Sequence, residues 1–71
     1  MDSFKDFNLK FKEHDIVISI DEIGNIPKGT KGCIVNDYKN DNYEVEFFSG
    51  NKTLSVVYVN KKQIKKDEKR F

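Results

Sequence analysis

The sequence predicts an all-β protein, a small antiparallel barrel of four to five strands. From Asp15 to Val59, short β-branched or aromatic runs recur at roughly ten-residue spacing, separated by clusters of Gly, Pro, Asn and Asp. No helical period sustains itself over that stretch. Size is the third observation. A chain of 71 residues builds one core and buries only about 60 % of its unfolded surface, so closing a sheet on itself is the economical way to remove exposed edges.

The first strand is DIVISI (15–20), in which Ile16, Ile18 and Ile20 share one face. The loop DEIGNIPKGTK follows, with Gly24, Asn25, Pro27 and Gly29 each able to break a strand. GCIVNDY (32–38) is the second strand, ended by the polar cluster KNDN, which suits a hairpin turn. In YEVEFF (43–48), Tyr43, Val45 and Phe47 alternate with Glu44, Glu46 and Phe48, the mark of a half-buried strand. SGNK (49–52) is the next turn, with Gly50 suited to positive φ. TLSVVYV (53–59) is the fourth strand, and NKKQI reads as a single turn that returns Ile64 to the core, with room for a short fifth strand.

The spacing Gly29-Thr30-Lys31-Gly32 matches the loop with which KH domains clamp a nucleic-acid backbone. That clamp needs flanking helices, and here the glycines lie between a Pro-containing loop and the strand-like run CIV. They are therefore assigned to the backbone: Gly29 to a turn, Gly32 to a point where the wall folds closely over itself.

The first residues leave two readings open. Phe4, Phe7 and Phe11 stand at helical spacing, while Phe7, Leu9 and Phe11 alternate as a strand. Three of the six phenylalanines lie here, so this segment either packs over one end of the barrel or serves as an aromatic arm. The expected organisation is an N-terminal arm (1–11), a barrel (12–66) and a charged C-terminal tail (67–71).

The net charge of +1 hides an asymmetry. Residues 1–59 carry seven basic against ten acidic side chains, a balance of −3, whereas residues 60–71 carry six against two, a balance of +4. A nucleic-acid footprint normally lies across a folded face, so an acidic body with a basic tail argues against that ligand. The N-terminus lacks the apolar stretch of a secretory leader, and no apolar run approaches the ~20 residues that span a bilayer. A single cysteine, Cys33, gives no disulfide framework and fits a reducing, cytoplasmic setting.

The runs KEHDIV, KGTKGCIVNDY, NYEVEFF and TLSVVYVNKKQI occur in that order. Together they resemble an uncharacterised family of very small bacterial proteins, domain of unknown function four-nine-two-six, over about residues 12–64. The resemblance implies an SH3-like (KOW-like) barrel. Its most specific parts are the Gly29 and Gly32 pair and the Tyr-Glu-Val-Glu-Phe run at 43–47. Ser19 stands where that family usually has an aliphatic, which leaves the core face of the first strand open, and residues 1–11 lie outside the family pattern. The family has no established activity; the context it implies is an accessory to larger machinery, with immunity or toxin neutralisation as one setting.

Enzymatic chemistry needs converging groups, and these are scarce. His14 is the sole histidine, and Glu13 and Asp15 project away from it on an extended segment. Cys33, beside Ile34 and Val35, reads as a buried small hydrophobe. Glu44 and Glu46 share a face, about 7 Å apart along a strand, but on an outer face they are ordinary solvated carboxylates. The sequence therefore points to a non-enzymatic module with no cofactor and no metal, whose partner is another protein. The candidate contact residues are Glu44, Glu46, Phe48, Tyr38 and Tyr58, an aromatic face with a charged rim. Asp21, Glu22 and Asp41 are candidates to extend its acidic character. Nucleic acid bound through the basic tail is the alternative, disfavoured because the aromatic strand is interleaved with Glu rather than Lys or Arg. A homodimer, burying more surface than one small core allows, is the third reading.

Overall fold

In the computed structural model, which describes residues 11–67, β1 (Ile16–Ser19), β2 (Lys31–Asp37), β3 (Asn42–Ser49), β4 (Lys52–Asn60) and β5 (Ile64–Lys66) form one antiparallel sheet of order β4-β3-β2-β1-β5. The four strands read from the sequence are present, with ends within two residues of those expected, and the short fifth strand for which the sequence left room is β5. The expected 1–11 arm lies outside the described residues except for Phe11, and the 67–71 tail except for Asp67.

The strand order forces curvature. In a flat sheet the outer two of five strands would lie about 19 Å apart. Yet β4 and β5 are joined by a three-residue 3-10 turn, Lys61–Gln63, and the chain from Asn60 to Ile64 reaches at most about 14 Å. The sheet must curl until its outer strands approach at that end, and Val59 of β4 and Ile64 of β5 accordingly share one core. It stays open in hydrogen bonding, because β4 pairs with β3 alone and β5 with β1 alone among the described residues. The turn itself is fixed by a capping box: Lys62 N–H donates to Asn60 Oδ1 at 2.9 Å, and Asn60 N–H donates to Gln63 Oε1 at 2.8 Å.

The core holds Val17, Ile34, Tyr43, Val45, Phe47, Val59 and Ile64, joined by Ile23 and Ile26 from the β1–β2 loop. Phe11 packs at right angles to Tyr43, ring centroids 5.5 Å apart, so this last residue of the expected arm belongs to the core. On β1 the buried face is Val17 and Ser19; Ile16 and Ile20 are exposed. The pattern of three isoleucines thus marks the outer face of this strand.

A serine in the core is tolerated because every polar atom around it is paired. Ser19 is 1 % exposed. Its hydroxyl donates to Pro27 O at 2.9 Å and accepts from Thr30 N–H at 3.0 Å, while its backbone N–H and C=O bond to Thr30 O and Gly29 N–H. Ser19 therefore pins the returning limb of the β1–β2 loop. Gly29 turns that limb at φ +89°, and Gly32 lies where β2 crosses β3 closely. A Cβ there would stand 2.5 Å from Val45 Cγ1 and 2.8 Å from a ring carbon of Phe47, so both glycines serve the backbone, as their sequence context implied.

Candidate functional site

Strand register determines which side chains share the outer face, because directly paired residues project to the same side. One row runs Ile16, Cys33, Glu46, Val56 across four strands; the next runs Asn36, Glu44, Tyr58 across three. The burial of Tyr43, Val45 and Phe47 commits Glu44, Glu46 and Phe48 to this outer side.

Three of the five candidate residues come together, and a fourth, Glu46, lies in the neighbouring row of the same face. The Tyr38 and Tyr58 rings lie 5.4 Å apart, tilted by 54°, and Tyr38 Oη donates to Glu44 Oε1 at 3.2 Å. Glu44 faces Tyr58 across the β3–β4 ladder, and Glu46 faces Val56. Thr53 Oγ1 donates to Glu46 Oε2 at 2.5 Å. Neither glutamate has a cationic partner among the described residues. By contrast, Asp15, Asp41 and Asp67 each meet a lysine, in the pairs Lys66–Asp15 (3.8 Å), Lys61–Asp41 (3.7 Å) and Lys31–Asp67 (3.3 Å). The acidic character of the face thus rests on Glu44 and Glu46. Asp41 is drawn to Lys61, and Asp21 and Glu22 lie exposed in the β1–β2 loop.

Phe48 separates from the other four. A bulge puts Leu54 out of register, so that Phe47 pairs with Ser55 but Phe48 with Thr53. Beyond it the half-buried Phe48 lines a hollow of about 390 Å³ with Pro27, Thr30, Lys31 and Leu54. A second hollow, about 440 Å³, lies between Ile23, Asn25 and Ile26 of the loop and Leu54, Ser55 and Val57 of β4. Leu54 borders both. Sequence reasoning missed Leu54 and Val56, which are 45 % and 52 % exposed. TLSVVYV reads as an inward strand when only its apolar content is considered; the pairing of Val56 with Glu46 sets Val56 on the outer face, and Leu54 stands at the bulge.

The other chemical candidates are isolated. His14 is exposed and sits at φ +76° in a tight turn where Asp15 N–H donates to Lys12 O at 3.0 Å. Cys33 is half-buried on the outer face rather than buried in the core, because its neighbour Ile34 takes the inward position. Desolvation raises its thiol pKa, and Glu46 and then Asp15 raise it further, so the thiolate that nucleophilic chemistry needs is disfavoured. Among the described residues no three His, Cys, Asp or Glu side chains gather as metal ligands, and no helix is long and apolar enough to cross a membrane.

A family model described as Domain of unknown function (DUF4926) matches residues 13–66. The chain belongs to this family. The matched span takes in all five strands and both outer-face rows, so the candidate face is part of the family domain. No curated protein and no solved structure matches the chain.

Proposed function

We propose that this DUF4926 domain is a non-enzymatic protein-interaction module that binds a partner protein through the outer face of β3 and β4. One observation carries the reading: Val56 and Tyr58, 52 % and 59 % exposed, lie directly beside two carboxylates that no lysine or arginine of the described residues neutralises. An apolar, aromatic centre with a charged border is the composition of protein interfaces. Tyr58 with Tyr38 supplies the rigid contact area, and Glu44 and Glu46 supply charge selectivity. The setting that accompanies this reading is a bacterial cytoplasmic accessory, an inhibitor or an immunity or antitoxin-type protein acting by occupancy.

The test is affinity capture with the wild-type chain and with a Tyr58→Ala, Glu46→Lys double variant, each shown to be folded by circular dichroism. A specific partner recovered by the wild type and lost by the variant supports the face. Equal recovery by both refutes it. Salt-dependent retention on mixed oligonucleotides is measured in parallel, since micromolar binding with a steep salt slope would give precedence to nucleic acid.

A further inference from the structure

The proposed face ends at an open strand edge. β4 is nine residues long and pairs with β3 alone among the described residues. From Thr53 to Val59 it carries no charge and no proline, two of the features that normally blunt an edge, and its bulge lies toward one end, at Leu54. Between the bulge at Leu54 and the 3-10 turn at Lys61, Ser55 to Asn60 form an unbroken ladder with β3. Asn60 N–H is taken by Gln63 Oε1, which leaves Ser55 to Val59 to template one further short strand.

Both sides of such a strand have a defined environment. On the outer side, its residues opposite Val56 and Tyr58 would be two apart in sequence. Glu46 and Glu44 lie one strand further in, about 10 Å from an added backbone, within reach of a Lys or Arg laid over Val56 and Tyr58 toward the carboxylate. Tyr58 also offers a ring face to a cation. On the inner side, residues opposite Ser55 and Val57 would face the hollow of about 440 Å³ bordered by Ile23 and Ile26, which suits an apolar side chain. We infer that the partner is an extended segment with alternating basic and apolar residues, bound by strand addition to β4.

A second copy of this chain fits less well. Antiparallel pairing of two β4 strands about Val56 sets Lys52 beside the other copy's Asn60 and Lys61, and it brings no cation to Glu44 or Glu46. The inference rests on the face proposed above and adds the mode and chemistry of binding.

The probe is an eight-residue peptide alternating arginine and valine, with blocked ends, titrated calorimetrically into the full chain. It should bind about tenfold or more tightly than a glutamate–valine counterpart, and Glu44→Gln with Glu46→Gln should reduce that preference. Two further peptides carry N-methyl groups on one or the other alternate set of backbone amides. An added strand turns only one set toward β4, so one should lose binding and the other keep it. Equal behaviour of the two methylated peptides overturns strand addition. If Tyr58→Ala still abolishes capture of the cellular partner in that case, the face stands and only the mode fails. Sedimentation showing a dimer that Val56→Lys dissociates would assign the edge to a second copy and also overturn the inference.

Discussion

The two edges of the sheet are built in opposite ways. β5 is three residues long, carries Lys65 and Lys66, and presents one buried side chain, Ile64. Lys66 is tied to Asp15, and Asp67 N–H closes the pairing by donating to Ile16 O at 3.0 Å. β4 is three times as long and presents Leu54, Val56 and Tyr58 to solvent. A short, cationic strand offers little to a neighbouring chain; a long, uncharged, β-branched one is a ready template. Among the described residues one edge is guarded and the other is open, which is in keeping with the proposal that β4 is the side that binds.

The comparison breaks most completely if the sheet itself fails. Gly32→Val should cost about 3 kcal/mol or more, because Val45 and Phe47 leave no room for a Cβ and the groups in the way belong to the core. Urea denaturation should show a largely unfolded chain with neither edge competent, whereas a stable variant would remove the close approach from the account.

Ser19→Ala is the next largest. It leaves Thr30 N–H and Pro27 O without the serine hydroxyl, a loss of about 1–3 kcal/mol in chemical denaturation. Thr30 Oγ1 still donates to Pro27 O, so the loss should fall mainly on the unpaired N–H. Because Ser19 pairs with Ile64 of β5, hydrogen exchange should quicken on the β5 side before the β4 side. Uniform acceleration would show that the two edges are not separable.

Cys33, in the row that links Ile16 to Val56, reports on the ground between them. Its thiol pKa is raised by burial first and by Glu46 and Asp15 second. Alkylation should therefore require a higher pH than for a free cysteine, and Glu46→Gln should move the profile down without bringing it to the ordinary value. The sign for folding follows from proton linkage: the protonated thiol favours the fold, so this contribution is complete below the ordinary thiol pKa. It is lost as pH rises toward the raised one. A pH profile indistinguishable from that of a small thiol would refute the half-buried setting.

The smallest effects on stability come from the edges themselves. Val56→Lys should change stability by no more than about 0.5 kcal/mol, yet impair binding at β4 by setting a cation on the template. Lys65→Val with Lys66→Thr removes the charges from β5 and should likewise cost little. Light scattering should detect no association, since three residues remain too few to template a strand. Aggregation of this variant would mean that charge, rather than length, guards that edge.

Much of the fold was legible in the residue order. The alternation in YEVEFF assigned both faces of β3, since burial of one aromatic and aliphatic set leaves the glutamates outside. The context of Gly29 and Gly32 separated a backbone role from a phosphate clamp. DIVISI pointed the other way, because its more apolar face, Ile16, Ile18 and Ile20, is the outer one and the buried face carries the serine; the deciding partners, Pro27 and Thr30, lie on the far limb of a loop. Among the candidate residues, Tyr38, Tyr58 and Glu44 meet and Glu46 lies in the neighbouring row, while Phe48, past the bulge at Leu54, lines the loop hollow. A bulge inserts one residue into pairing without a clear mark in composition, so that separation was not readable beforehand.

The sequence by itself determined the strands, the turns and the lone small core, because alternation and the conformational demands of Gly, Asn and Pro act over a few residues. It also determined that chemistry-bearing groups are sparse. Only the tertiary structure decided that TLSVVYV is an edge and IKK the opposite one, since strand order depends on pairings across the whole chain. Residues as apolar as those of the core stand open to solvent at this margin, and position in the sheet, not composition, makes the difference.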